Sequence, residues 1–269
     1  MERRKFLSST LAASALAVTA PAGALEAAQG MMSSKGREFY QLRRYHINSG
    51  PQRKLCDDFF RDALIPALGR QGIGPVGVFD LSIGPDTPSI YVLMAGTSAE
   101  KLATVENLLG KDDEYNKAGA AFLTAPAKEP AFERMDSTFL QAFEKWPNLI
   151  LPKATAAKGP RVFELRIYEG ATDLDHRRKV EMMQSGESDI FNKAGVEQIF
   201  YSETLIGPRL PNLTYMLCFD SLATRDKQWA AFRASDEWKT YSTQPRYGFE
   251  PIVSNITNLI LAPTAYSQI

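Results

Sequence analysis

Phe39-Tyr40-Gln41-Leu42-Arg43-Arg44-Tyr45 is written a second time, with changes, as Val162-Phe163-Glu164-Leu165-Arg166-Ile167-Tyr168. Leucine, arginine and tyrosine recur at a constant shift of 123 residues, and the same shift lays residues 39–115 on 162–238 without a gap. Gly72 then falls on Gly195, Ile83-Gly84-Pro85 on Ile206-Gly207-Pro208, Pro88 on Pro211, Ser98 on Ser221, and Asp113-Glu114 on Asp236-Glu237. A match of this length at one fixed offset is the mark of an internal duplication.

Each copy reads strand, helix, strand, strand, helix, strand. Residues 39–47 and 162–169 carry the aromatic and branched residues of strands. Leu55, Phe59, Ala63, Leu64, Ala67 and Leu68 recur at helical spacing within 52–70, and Gly72 supplies a left-handed stop. Residues 76–83 and 90–95 read as strands joined by Gly84-Pro85-Asp86-Thr87-Pro88, a hairpin loop reused at Gly207 to Pro211. Ser98 and Ser221 can cap a second helix, and residues 136–143 and 254–261 can close each sheet. The order βαββαβ is the ferredoxin-like arrangement, an antiparallel sheet with both helices on one face. Its bare face must be buried, and two sheets in one chain can bury theirs against each other. The expected fold class is therefore α+β, two tandem ferredoxin-like domains at 37–143 and 161–263. Residues 144–160, with Pro147, Pro152, Gly159 and Pro160, form the linker.

Ahead of the repeat, Arg3-Arg4 precede Phe6-Leu7 and an uncharged stretch from Leu11 to Ala20, which reads as a twin-arginine export signal over residues 1–28. Small residues place cleavage near Ala24 or Ala28, and a periplasmic or otherwise exported protein is expected. The full chain balances 31 basic against 31 acidic residues, and loss of residues 1–28 would leave 28 against 29. With no basic surface and no polybasic run, neither nucleic acid nor stable membrane insertion after cleavage is expected. Cys56 and Cys218 stand at non-corresponding positions and the only histidines are His46 and His176, so neither a disulfide framework nor a metal site is expected. A homo-oligomer is left open.

Phe163-Glu164-Leu165-Arg166-Ile167-Tyr168, Phe200-Tyr201, Thr204-Leu205-Ile206-Gly207 and Leu210-Pro211-Asn212-Leu213-Thr214-Tyr215-Met216-Leu217 together resemble the NIPSNAP family, as do Arg225-Asp226-Lys227-Gln228-Trp229 and Asp236-Glu237-Trp238-Lys239. The resemblance covers nearly all of the second copy and the first more loosely, which departs by Gln41 for Glu164, Gly77 for Phe200 and Tyr115 for Trp238. It implies the dimeric α+β barrel superfamily, here formed within one chain; that superfamily holds cofactor-free monooxygenases, haem enzymes and muconolactone-type isomerases. It supplies no catalytic residue to carry onto this chain.

Strands alternate faces, so Gln41, Arg43 and Tyr45 share one side of the first strand and Glu164, Arg166 and Tyr168 the matching side of its copy. Phe163, Leu165 and Ile167 on the other side suit packing under helices. The polar triplets are thus expected inside the barrel, either docking the sheets through ion pairs or holding an anionic ligand. These six residues are the ligand-binding candidates. Gln41 in place of Glu164 is expected to leave Arg43 without a local counter-charge. His46 is a general-base candidate, whereas His176 belongs to the charged run 175–179, read as a solvated helix start. The triplets beginning at Asp113 and Asp236 read as the end of the second helical region, and Trp229 and Phe232 as core. No cofactor is expected. Three functional readings follow: a small-molecule-binding protein, a cofactor-independent monooxygenase or isomerase, or a structural module. The volume of the barrel chamber separates the first two from the third.

Overall fold

The computed structural model describes residues 36–48, 50–248 and 252–269; the expected export signal lies outside them. Eight strands are formed: β1 (Phe39–His46), β2 (Val76–Ile83), β3 (Ser89–Gly96), β4 (Arg134–Ala142), β5 (Val162–Glu169), β6 (Glu197–Ile206), β7 (Asn212–Phe219) and β8 (Asn255–Pro263). They close into one barrel in the order β1-β3-β2-β8-β5-β7-β6-β4, every neighbouring pair antiparallel. Each repeat supplies four adjacent strands, as two tandem ferredoxin-like sheets. They do more than face each other: their edges zip together, β2 to β8 and β4 to β6. An open four-stranded sheet leaves two rows of unpaired backbone groups, and edge pairing removes all four rows at once. Register shifts at both seams, between Leu81 and Ile83 and between Phe139 and Leu140, let the sheets bend into closure.

The helix expected over 52–70 forms as Gly50–Phe59 and Ile65–Arg70 around a π-turn at Phe60–Leu64. The second copy repeats the interruption, with Met183–Glu187 between Asp173–Met182 and Ser188–Lys193. Gly72 and Gly195 follow at φ +70° and +79°, the left-handed stops that favour glycine. Ser98 and Ser221 accept the backbone N–H of Lys101 and Thr224 as N-caps. After Ser221 the helix runs unbroken over Leu222–Ala234, whereas after Ser98 it breaks at Thr104, whose hydroxyl donates to the Glu100 carbonyl at 2.8 Å. The two Asp-Glu-aromatic triplets open further helices, Asp113–Ala118 and Asp236–Ser242, instead of ending the preceding ones, because Asp112 and Ser235 cap them.

Three apolar clusters hold the layers together. One lies between sheet and helices in each repeat; the third fills the barrel with Tyr40, Phe79, Leu93, Phe163, Leu165 and Met216 from both repeats. This overturns the expected facing of the strands. Phe163, Leu165 and Ile167 point into the barrel, while Glu164, Arg166 and Tyr168 lie under the helices, as do Arg43 and Tyr45 of the first copy. The physical reason is that β5 is covered on both sides, so polarity alone does not distinguish inside from outside. Helix Leu222–Ala234 decides it by bringing Arg225 and Trp229 to the polar side.

One end of the barrel is plugged. After β8 the chain continues along β2, with Thr264 N–H donating to the Val78 carbonyl and Gln268 N–H to that of Val76, both at 3.0 Å. It ends with the Ile269 side chain wholly buried in the barrel cluster. Gly77 makes room: a Cβ there would fall 2.5 Å from the Phe79 ring and 2.9 Å from Ile269. Its equivalent Phe200 is fully buried and packs tilted against Tyr40, ring centroids 5.0 Å apart. One repeat fills the space that the other cedes to the tail.

Candidate functional site

Two polar assemblies stand on opposite faces of the same strands. Beneath the helices of the second repeat, Glu164 is wholly buried and accepts hydrogen bonds from Arg166 Nη1 (2.7 Å), Arg225 Nη2 (2.7 Å) and Nε (2.9 Å), and Trp229 Nε1 (2.7 Å). Burial alone would raise its pKa, but the Arg225 hydrogen bonds, the Arg166 charge and the Trp229 N–H outweigh it and hold the carboxyl below its ordinary value. Arg166 also donates to the Tyr168 hydroxyl at 2.8 Å and lies over the Trp229 ring at 4.5 Å. Close by, Lys179 and Glu187 form a second buried pair at 2.5 Å. The run 175–179 does lie at a helix start but is solvated only in part: Arg177 is exposed, whereas His176 and Lys179 are buried, His176 with Nε2 3.4 Å from Glu203.

In the first repeat Arg43 does have a counter-charge, which corrects the expectation drawn from Gln41. Its guanidinium pairs with Glu106, which stands at the position of Trp229, and donates to Gln41 Oε1 at 3.0 Å. The acid has moved from strand to helix. In both repeats these groups spend most of their donors and acceptors on one another, as a docking network does, although the buried Arg43 Nε has no partner among the described residues. None of the six ligand-binding candidates lines the chamber on the other face.

That chamber occupies the unplugged end of the barrel and has a volume of about 660 Å³. Its floor is aliphatic, built from Leu42, Leu165, Ile167 and Leu259 of three strands. Above it the walls turn polar. Along β1 the inward residues run Tyr40, Leu42, Arg44, His46, from apolar plug to charged mouth, because successive inward positions are two residues apart. The register sets Asp136 of β4 opposite Arg44 and Arg134 opposite His46. His46 is 6% exposed, and its Nε2 lies 2.7 Å from Asp136 Oδ2. Of the expected site residues, His46 alone is placed in the chamber.

The two hairpin loops stand as posts at the mouth. Asp86 and Arg209 occupy equivalent positions, both in the left-handed region at φ +59°. They ion-pair with the first strand of their own repeat in opposite senses, Asp86 with Arg44 at 3.3 Å and Arg209 with Glu169 at 3.5 Å. The chamber is correspondingly lopsided. The positions that hold Arg44 and Tyr91 in the first repeat hold Ile167 and Thr214 in the second, while Thr257 faces Ile167 across its ladder as Asp136 faces Arg44. Burial pushes the Tyr91 phenol up to about 12, with the Arg44 charge opposing, so at neutral pH it is a hydroxyl.

Arg44, Asp136, Tyr91 and Arg209 escaped the sequence reading. A usable signal was present: Tyr40-x-Leu42-x-Arg44-x-His46 is a face that turns from apolar to basic. Cys56 and Cys218 are buried free thiols, both pushed up to about 12 chiefly by burial. Among the described residues, no group of three or more His, Cys, Asp and Glu is placed to hold a metal ion, and no helix is long and apolar enough to cross a membrane.

The NIPSNAP family model matches residues 163–268, from β5 through the tail. No curated protein matches the chain. Among solved structures, an uncharacterized NIPSNAP-like domain protein from Burkholderia xenovorans is 24% identical, covering 40% of this chain and 88% of its own, with a TM-score of 0.36. A candidate monooxygenase from Lactobacillus acidophilus is 8% identical over 84% of this chain and 94% of its own, with a TM-score of 0.56. An anthrone oxidase-like protein is 9% identical over 86% and 92%, with a TM-score of 0.50. The last two share the fold with this chain across the whole barrel.

Proposed function

From the NIPSNAP domain at residues 163–268 as premise, we propose that this chain is an exported tandem NIPSNAP-type protein that binds a small molecule in the open end of its barrel. The observation that carries this reading is the chamber of about 660 Å³, whose aliphatic floor and polar walls come from both repeats. Its volume falls in the range of ligand sites, roughly 300–1,000 Å³, and a purely structural barrel would fill that space with side chains. Native mass spectrometry of protein recovered from the producing cell tests it. A bound mass is expected on the wild type and lost in Leu165→Trp, which fills the floor; a bound mass kept in that variant would move the ligand elsewhere.

A second reading is favoured by the His46–Asp136 pair. A histidine fixed through one nitrogen by a carboxylate is the usual arrangement of a positioned proton acceptor, and this one borders the chamber. It accords with a cofactor-independent oxygenase or isomerase, both of which begin by removing a proton from carbon. Incubating the retained molecule with the protein in D2O should introduce deuterium, and His46→Asn should abolish that while binding persists.

Export rests on Arg3-Arg4 ahead of the uncharged stretch. Changing both to lysine should leave the precursor in the cytoplasm, and normal processing of that variant would rule out the twin-arginine route.

A further inference from the structure

The chamber's walls carry guanidinium donors that its acids do not use up. Each of the two acids pairs with a cation through Oδ2, Asp86 with Arg44 at 3.3 Å and Asp136 with His46 at 2.7 Å. Arg44 uses Nε on Ser89 (3.2 Å) and Nη2 on the Pro85 and Asp86 carbonyls (2.6 and 3.2 Å), which locks the guanidinium to the first hairpin loop over the Tyr91 ring, 5.6 Å from its centroid. Among the described residues, Nη1 has no partner. The side chain as a whole is 17% exposed, and Nη1 is not among the partnerless donors sealed from solvent, so it stays open to water or a ligand. The side chain of Arg134 beside it at the mouth likewise makes no hydrogen bond or ion pair among the described residues. Below, about 7 Å down β1, lies the aliphatic floor, which offers a ligand no polar partner.

Building on the chamber reading, we propose that the ligand is an amphipathic monoanion: a carboxylate on a compact apolar body. The carboxylate sits at Arg44 Nη1 under the mouth, and the body lies on Leu42, Leu165, Ile167 and Leu259. A preoriented guanidinium edge suits a planar anion, and the floor excludes sugars and polyanions because their polar groups would be desolvated there without partners. His46 and Asp136 then stand beside the head of the ligand, not its tail.

The test uses 2-naphthoate and its neutral isostere 2-naphthalenemethanol, titrated calorimetrically into the full chain. On the wild type the carboxylate is expected to bind at least about tenfold more tightly than the alcohol, the preference of one charge-assisted hydrogen bond over a neutral one. Arg44→Gln should erase most of that preference, weakening the carboxylate by far more than the alcohol; Arg44→Lys should keep part of it. Leu165→Trp and, from another strand, Leu259→Phe should block both compounds. If the alcohol binds as tightly as the carboxylate, if Arg44→Gln keeps the preference, or if naphthoate does not bind, the anion assignment is wrong. If both floor variants still bind either compound as the wild type does, the chamber itself is the wrong site.

Discussion

Glu164 accepts four hydrogen bonds from three side chains while wholly removed from water, and the consequences of losing it follow from which partners can return to solvent. Arg225, 22% exposed, can turn outward; Arg166, 9% exposed at its side chain, cannot. Glu164→Leu is therefore expected to cost about 3–5 kcal/mol, the penalty of an orphaned buried charge. Adding Arg166→Met should recover much of it, as measured by urea unfolding; additive losses would show that the two do not act as a pair. Arg43→Met should cost less, since Glu106, 61% exposed, is left in water. The same carboxyl carries a pH dependence. Its folded pKa lies below the unfolded value of about 4.3, so its contribution is complete above that value and is lost as pH falls through the folded one. Unfolding free energy should drop on acidification below about pH 4.3, and Glu164→Gln should flatten part of that slope.

Among the elements, β1 is used on both sides, and its two faces do different work. Arg43 and Tyr45 fasten helices to the sheet, while Tyr40, Leu42, Arg44 and His46 grade the barrel from plug to mouth. The tail that follows β8 has the corresponding role at the closed end. It is tied to β2 by main-chain bonds and by Gln268 Oε1 and Ser267 Oγ, which accept from Val76 and Val78 N–H at 2.8 and 3.1 Å. Ile269→Ala should cost about 2–5 kcal/mol, as for other fully buried aliphatic truncations. Deletion of residues 264–269 should cost more, lowering the thermal midpoint while leaving the barrel's strand content by circular dichroism. An unchanged midpoint in the deletion would mean that the plug contributes nothing to stability.

At the scale of the whole molecule, closure depends on the seams β2·β8 and β4·β6, both of which join one repeat to the other. Residues 30–150 or 159–269 alone would expose two sheet edges and the apolar face of Phe79 and Leu93, or of Phe163 and Met216. Each fragment should aggregate or self-associate, and the mixture should reassemble, as followed by size-exclusion chromatography. A monomeric fragment that unfolds cooperatively would show that the halves do not need each other. The sequence by itself determined the duplication, the strand alternation, the glycine stops and the serine caps. Each of these is written in residues close along the chain or at one fixed offset, where steric and periodic rules act directly. Only the tertiary structure decided which face of β5 turned inward, because neighbours cover that strand on both sides and the deciding groups, Arg225 and Trp229, lie 61 and 65 residues from Glu164. It alone also decided the site. His46 and Asp136 are 90 residues apart and meet because β1 and β4 share a register, and the floor beneath them exists only once the edges of two separate sheets have closed.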